Sequence, residues 1–165
     1  MTYVVPYRRG GKTRLGDPNL AEAMMFDVVD ACRDAGADDV VVVRAAGGQG
    51  EAIAEELRGR AGPVTIVNAD LPCATARELR ELSRAAPALV AAADGTTNAI
   101  ALRDAQEFVP QYGPGSAERY VRAFEARMLE LDGLVCDVDT WDDLDRVRDA
   151  VGCNTREYLA ALARV

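Results

Sequence analysis

The sequence predicts an α/β fold, a three-layer domain with an open, mostly parallel sheet and helices on both faces. Strand-length apolar runs alternate with segments of helical periodicity along most of the 165 residues, and this order is typical of βαβ units. No linker, repeat or low-complexity tract interrupts the alternation. We therefore expect one domain over residues 1–165. The hydrophobic fraction of 49% and the charged fraction of 28% fit a globular chain of this size.

The elements follow one another in a regular order. An apolar strand at residues 3–5 leads into a loop rich in Gly, Arg and Lys. From Leu20 onward, apolar residues recur at helical spacing, and Gly36 is a suitable stop. The valine run at residues 40–43 predicts a strand buried on both faces. Further strands are expected at residues 64–67, 88–93, 98–102 and 134–138, and helices at residues 51–60, 75–85, 116–128 and in two segments after residue 140.

Composition excludes several classes of function. The chain has no histidine, which removes histidine triads, histidine bases and histidine-ligated zinc. Its net charge of −8 argues against nucleic acid as a partner. We find neither a membrane-length apolar run nor a secretory signal pattern, so we expect no membrane contact and a cytoplasmic location. The four cysteines lack metal or redox spacing, and we expect them to be reduced and structural.

The loop after the first strand is a candidate phosphate site. Four basic residues and two glycines lie within seven positions of an acidic chain. Glycines let the backbone approach a ligand, and Lys, Arg and free amide groups suit a triphosphate. A solvated loop with accidental charge is the alternative, but the position after the first strand of an α/β sheet favours phosphate binding. The spacing is not that of a P-loop. These residues are Arg8, Arg9, Gly10, Gly11, Lys12 and Arg14.

Three aspartates are candidate metal ligands. Asp70 follows the predicted strand at residues 64–67, although it could instead cap the next helix. Asp137 and Asp139 would lie on the same side of an extended strand, because side chains alternate with period two. Converging carboxylates repel one another unless a cation lies between them, and Mg²⁺ prefers oxygen ligands and substrate phosphates. Thr140 and Asp143 have capping-box spacing, so Asp143 is interpreted as structural.

Two glycine-containing loops complete the candidate site. Residues 94–98 read as a turn. Residues 108–116 end in Gly-Pro-Gly-Ser at the start of a predicted helix, with Ser116 as its expected N-cap. A helix N-terminus flanked by glycines can bind a carboxylate or a phosphate. A rigid loop with a capped helix is the structural alternative.

In this order the motifs resemble the 2-phospho-L-lactate guanylyltransferase family, whose members have a MobA-like nucleotidyltransferase fold and act in biosynthesis of the deazaflavin coenzyme F420. The resemblance spans nearly the whole chain, and its most specific part is the Thr-Asn-Ala segment combined with Gly-Pro-Gly-Ser. The matching segments are residues 4–6, 12–15, 70–72, 95–99, 112–116, 137–140 and 143–144.

The resemblance implies transfer of GMP from GTP to the phosphate of a three-carbon phospho-acid, 2-phospho-L-lactate or phosphoenolpyruvate, with release of pyrophosphate. Lys12 and Arg14 would meet the GTP phosphates, assisted by Arg8 or Arg9. Mg²⁺ would be held by Asp70, Asp137 and Asp139, with Asp70 also counted as catalytic together with Lys12 and Arg14. The acid would be held by Thr97, Asn98, Gly113, Gly115 and Ser116. A homodimer is also expected.

The chain differs from the family in being shorter between Val43 and Val64. Family members carry a segment near the base and ribose of the nucleotide there, and residues 47–52 correspond to it in this chain. Two other functions therefore remain as alternatives to the predicted guanylyltransferase. One is a shortened, non-catalytic relative that binds the phospho-acid or a nucleotide. The other is a different nucleotidyltransferase of the same fold, such as one that acts on molybdopterin.

Overall fold

A six-stranded sheet organises the molecule in the computed structural model, which describes residues 1–8, 15–44 and 48–164. The strands are β1 (Thr2–Tyr7), β2 (Asp39–Arg44), β3 (Val64–Val67), β4 (Ala88–Ala91), β5 (Thr97–Leu102) and β6 (Arg127–Met128). The helices are α1 (Pro18–Asp34), α2 (Gln49–Leu57), α3 (Ala76–Arg84), α4 (Ser116–Phe124), α5 (Asp132–Val135), α6 (Trp141–Val147) and α7 (Cys153–Leu162), with a 3₁₀ turn at Ala105–Glu107.

The strand order is β2-β1-β3-β5-β4-β6. Strand β1 pairs in parallel with β2 and β3, so that Val4 lies beside Val41 on one side and Ile66 on the other. Strand β5 runs antiparallel to both of its neighbours, and β4 pairs in parallel with β6. The sheet is therefore mostly parallel, as predicted, with one reversed strand.

Apolar side chains cover both faces of the sheet. One core lies under α1, α3 and α7, and includes Leu20, Leu79 and Leu159. The other lies under α2 and α4, where Ile53 and Tyr120 are fully buried. These two cores confirm the three-layer arrangement. Among the helices described, none combines the length and the apolar character needed to cross a bilayer.

The prediction that residues 40–43 form a strand buried on both faces was wrong in its burial. Strand β2 forms, but it is an edge strand that pairs with β1 alone. Val43 is buried, whereas Val42 is 37% exposed. A run of four valines fits a central parallel strand and an edge strand equally well, because both require β-branched residues.

Larger differences occur in two other predicted elements. Residues 134–138 form no strand, since α5 ends at Val135 and the chain continues as an irregular segment. The helix predicted over residues 116–128 ends at Phe124, where Glu125 adopts a left-handed conformation with φ of 49°. The chain then forms the short edge strand β6. Short apolar runs do not distinguish strand from helix by periodicity alone.

All four cysteines are free thiols. Cys32 and Cys73 are buried, and burial raises the pKa of Cys32 to about 12 and that of Cys73 to about 11. Cys136 and Cys153 are exposed. The expectation of a structural role therefore fits the first pair, which packs in the core below α1 and α3.

Candidate active site

A cavity of about 480 Å³ opens at the carboxyl ends of β1, β3 and β4. Its size suits a small-molecule ligand. Chain segments that are distant in sequence meet there because the loops at one edge of an α/β sheet converge. The polar and glycine residues that line it are Tyr7, Arg8, Gly48, Gln49, Asn68, Asp70, Asp94, Thr96, Thr97, Asn98, Tyr112, Gly113, Asp137 and Asp139.

The three predicted metal ligands all line this cavity. Asp70 is held beside the other two by a backbone hydrogen bond of 2.9 Å from the Val138 amide to the Asp70 carbonyl. Asp137 and Asp139 reach the cavity from an irregular segment and not from the strand that we predicted. Asp70 does not cap the following helix, because Thr75 occupies that position.

Asp70 is electrostatically perturbed by its surroundings in the cavity. Its Oδ1 atom is buried without a hydrogen-bond partner among the described residues. Burial, followed by the charges of Asp137 and Asp139, raises the pKa of Asp70 to about 7. A buried carboxylate beside two like charges is costly unless a cation or a proton neutralises it.

These carboxylates fit a divalent cation whose remaining coordination positions are filled by the substrate. Within the described ranges, no group of three or more acidic or cysteine side chains is arranged closely enough to hold a metal alone. Mg²⁺ commonly takes only one or two protein carboxylates and fills its remaining positions with water and phosphate oxygens. The unpartnered Oδ1 atom of Asp70 is available as one such carboxylate ligand. The magnesium site itself remains a prediction.

Only some of the predicted acid-binding residues line the cavity. Thr97 and Asn98 begin β5 and line the cavity, as does Gly113. Gly115 and Ser116 do not belong to the described cavity wall. Ser116 was predicted as the N-cap of α4, and this was wrong, because Gly115 holds that position with φ of 69°.

Two buried side-chain contacts explain these placements. The Ser116 hydroxyl is hydrogen-bonded to that of Thr97 at 2.9 Å, which fixes the start of α4 against β5. The Asn98 amide donates to the carbonyls of Leu134 and Val135, both at 3.0 Å. Asn98 therefore supports the segment that leads to Asp137.

Most of the predicted phosphate loop lies outside the described residues, namely Arg9, Gly10, Gly11, Lys12 and Arg14. Arg8 is described, is exposed and lines the cavity. The chain re-enters the described structure at Leu15, which is buried and whose carbonyl accepts a hydrogen bond of 3.2 Å from the Trp141 indole. The two described ends of this loop therefore lie near the site. Arg8 lines the cavity, and Leu15 contacts Trp141, which follows Asp139 by two residues.

Sequence reasoning assigned no site role to Asn68, Gln49 and Tyr112, which also line the cavity. Asn68 accepts a hydrogen bond of 2.9 Å from the Gln49 amide and donates one of 3.1 Å to the Thr97 carbonyl. Tyr112 packs edge-on against Tyr120 with ring centroids 5.6 Å apart. Burial raises the pKa of the Tyr112 hydroxyl well above its ordinary value. The signal for Asn68 was its position directly after β3, where the same rule singled out Asp70.

Comparisons with known proteins place the fold. No protein-family model matches the sequence. A nucleotidyl transferase from Methanothermobacter superimposes with a TM-score of 0.63, covering 90% of this chain and 95% of its own, at 14% identity. A Mycobacterium tuberculosis H37Rv protein, which has also been solved as a manganese complex, gives a TM-score of 0.66 at 24% identity and covers 92% of this chain and 99% of its own. At such identities these likenesses show the fold, which is that of the nucleotidyltransferases.

Curated relatives define the family. The 2-phospho-L-lactate guanylyltransferase of Methanospirillum hungatei is 32% identical over 171 aligned positions, which cover 87% of this chain and 79% of that protein. The chain belongs to the 2-phospho-L-lactate guanylyltransferase family, as the motifs indicated. The phosphoenolpyruvate guanylyltransferase of Nocardia farcinica is 38% identical over 117 positions, covering 66% of this chain and 52% of that protein. The chain spans about half the length of the phosphoenolpyruvate guanylyltransferases that it matches.

The chain is also shorter than its relatives within the aligned region. The match to the 2-phospho-L-lactate guanylyltransferase of Methanoregula boonei has 189 aligned positions over 98% of this chain, at 29% identity and with 88% of that protein covered. Because 189 exceeds the 165 residues of the chain, that relative carries residues that this chain lacks.

Proposed function

We propose that the chain is a guanylyltransferase that transfers GMP from GTP to the phosphate of a three-carbon phospho-acid, 2-phospho-L-lactate or phosphoenolpyruvate. The observation that carries this proposal is the shared cavity. An acidic cluster at Asp70, a basic residue at Arg8 and the Gly113 loop surround one space of about 480 Å³, a size that suits a small-molecule ligand. Family membership supplies the reaction type.

The chemistry requires positioning and charge neutralisation more than proton transfer. A phosphate oxygen of the acid attacks the α-phosphorus of GTP, and the bond between the α-phosphorus and the bridging oxygen breaks as pyrophosphate leaves. The attacking phosphate is already an anion, so no general base is needed, and a site without histidine can support the step. Arg8, together with Lys12 and Arg14, would bind the GTP phosphates and offset their charge.

Asp70, with Asp137 and Asp139, would hold Mg²⁺, which supplies positive charge to the phosphate oxygens when bound. Burial of the unpartnered Asp70 oxygen supports this assignment. Among the residues proposed to hold the acid, Thr97, Asn98 and Gly113 line the cavity. Gly115 and Ser116 would act from outside the cavity wall. Ser116 would do so by orienting the Thr97 hydroxyl.

The test is pyrophosphate release from GTP and Mg²⁺ with 2-phospho-L-lactate, phosphoenolpyruvate and 3-phosphoglycerate in turn. We expect release with one of the first two acids, and loss of at least about 100-fold in rate on Asp70→Ala. The matched control is Asp142→Ala, because Asp142 is an exposed aspartate on α6 outside the cavity. No release with any acid, from folded protein, would reject the enzyme and favour the non-catalytic binding relative.

Three finer assignments belong to the same proposal. The product would serve biosynthesis of the deazaflavin coenzyme F420, and the protein would act in the cytoplasm. A homodimer is our expectation for the assembly, and gel filtration with light scattering tests it directly. The pathway assignment rests on the family resemblance, and the cytoplasmic location rests on the apolar pattern of the sequence.

A further inference from the structure

Arg119 has an unusual set of hydrogen-bond partners. This residue lies on α4, and its guanidinium donates to the backbone carbonyls of four consecutive residues. The shortest contacts are 2.6 Å from Nη2 to Gln111 and 2.6 Å from Nη1 to Pro114. The contacts to Tyr112 and Gly113 are both 3.3 Å. Within the described structure, no ion pair to a carboxylate involves Arg119, so its charge is directed at the backbone of this loop.

The carbonyl positions determine where the amide groups of the loop point. In a trans peptide the N–H of each residue is directed opposite to the carbonyl of the residue before it. The sole cis peptide among the described residues is elsewhere in the chain, between Ala86 and Pro87. With the carbonyls held toward Arg119, the N–H groups of Tyr112, Gly113 and Gly115 therefore point away from it. Pro114 has no N–H to present.

These amide groups have no other task in the described structure. Tyr112, Gly113 and Gly115 donate no backbone hydrogen bond to any described protein atom. Tyr112 and Gly113 line the cavity, as does Thr97 at the start of β5. Gly113 adopts φ of 107° and Gly115 φ of 69°, a conformation that residues with a side chain rarely adopt. Successive free amide groups of this kind form a concave site for anions.

We propose that Arg119 is a positioning residue that orients the loop at residues 111–115 so that the amide groups of Tyr112 and Gly113 bind the carboxylate of the phospho-acid. Without the guanidinium, the same carbonyls are free to turn toward the cavity, where their partial negative charge would repel the carboxylate. The proposal rests on the proposed function, since it deepens the acid subsite of that function. It assigns Arg119 no contact with the substrate.

The kinetic test compares Arg119→Ala and Arg119→Lys with Arg122→Ala. Arg122 lies one turn further along α4, and its exposed side chain pairs with Glu118, so it is a matched control. We expect Arg119→Ala to raise KM for the acid about 10- to 100-fold, the effect of losing roughly 1.5–3 kcal/mol of charged hydrogen bonding. KM for GTP should stay within about twofold, and Arg119→Lys should give a smaller rise. Equal changes in both KM values, or a change no larger than in Arg122→Ala, would overturn the assignment.

A second measurement does not depend on turnover. In the free protein the Gln111 amide donates to the Tyr120 hydroxyl and the Ser116 amide donates to the Gly113 carbonyl, so both should be protected from hydrogen exchange. We expect Arg119→Ala to speed exchange at these two amides and Arg122→Ala to leave them unchanged. Unchanged exchange in Arg119→Ala overturns the inference even if the enzyme is active. Faster exchange in a protein that turns over no acid would instead leave the Arg119 geometry supported and reject the proposed function.

Discussion

Asp70 carries a structural cost in the metal-free protein. Its buried Oδ1 lacks a described partner, and burial together with Asp137 and Asp139 raises its pKa to about 7. In the unfolded chain the carboxyl would titrate near its ordinary value of 3.8. Between these two pH values the folded state holds a proton that the unfolded state has lost, so the free energy of unfolding falls as pH rises. Above pH 7 the cost is constant.

We predict that Asp70→Asn stabilises the metal-free protein while it abolishes activity. The amide removes the buried charge, and we expect a gain of about 1–2 kcal/mol at pH 8, or roughly 2–8 °C in Tm. The gain should shrink toward zero as pH falls below about 3, because both states then hold the proton. Thermal unfolding in EDTA at several pH values measures the stability, and pyrophosphate release measures the activity.

The exposed control Asp142→Asn should change neither quantity by much. A loss of stability in Asp70→Asn at pH 8 would contradict the prediction, because it would mean that the carboxylate is satisfied in the folded protein. Retained activity would remove Asp70 from the proposed metal site.

Individual site residues could be predicted when their chemistry is visible in the side chain. Asp70 stood out because a carboxylate directly after a strand suits a metal. Asp137 stood out because its spacing from Asp139 places both on one side of an extended segment, and Asp70 and Asp137 both line the cavity. Arg119 could not be identified in this way, since it acts on backbone carbonyls that have no sequence signature. Ser116 was recognised as important but given the wrong partner, because its hydroxyl pairs with a residue 19 positions away and not with its own helix.

Among the elements, the segment that carries Asp137 and Asp139 differs most from expectation. Its apolar run suggested a strand, yet helix α5 and an irregular segment occupy that stretch. The segment is placed by long-range hydrogen bonds, from Asn98 to two of its carbonyls and from Val138 to Asp70. Neither contact has a local pattern in the sequence. The alternating elements before residue 100 were predictable because their periodicity is local.

The Asn98 contacts make a prediction for this element. Asn98 is 2% exposed, and Asn98→Ala leaves the carbonyls of Leu134 and Val135 without their donor. We expect a loss of about 1–3 kcal/mol in the free energy of unfolding, the cost of buried polar groups without partners. Activity should fall more than stability predicts, because the carboxylates of Asp137 and Asp139 are displaced. Urea denaturation and the KM for Mg²⁺ measure the two effects.

Gln106→Ala is the control for Asn98→Ala, since the exposed Gln106 side chain makes no hydrogen bond in the described structure. An unchanged KM for Mg²⁺ in a folded Asn98→Ala protein would show that the segment holds its position without Asn98. Asn98 would then stabilise the fold as a core residue but would not position the site.

At the scale of the whole molecule, the sequence was sufficient for the layer order but not for the strand arrangement. Helices alternate with strands, and both faces of the sheet are apolar, as predicted. The reversal of β5 could not be read from composition, because strands in either direction show the same buried apolar run. This reversal nevertheless places the start of β5, with Thr97 and Asn98, at the same edge as the ends of β1 and β3. The proposed acid side and the proposed metal side of the cavity therefore meet at that edge.

This meeting of two sides gives a prediction for the intact protein. Each ligand that binds the folded state must raise Tm according to its concentration and affinity. We expect GTP with Mg²⁺ to raise Tm by several degrees at concentrations well above Kd, and GTP with EDTA to raise it much less, because the clustered carboxylates repel the phosphates when no cation is present. The acid should give its own smaller shift. Arg8→Ala should reduce the GTP shift and leave the acid shift intact. A protein that responds to the acid alone would be a binding relative, and one in which EDTA does not alter the GTP shift would contradict the metal assignment of Asp70, Asp137 and Asp139.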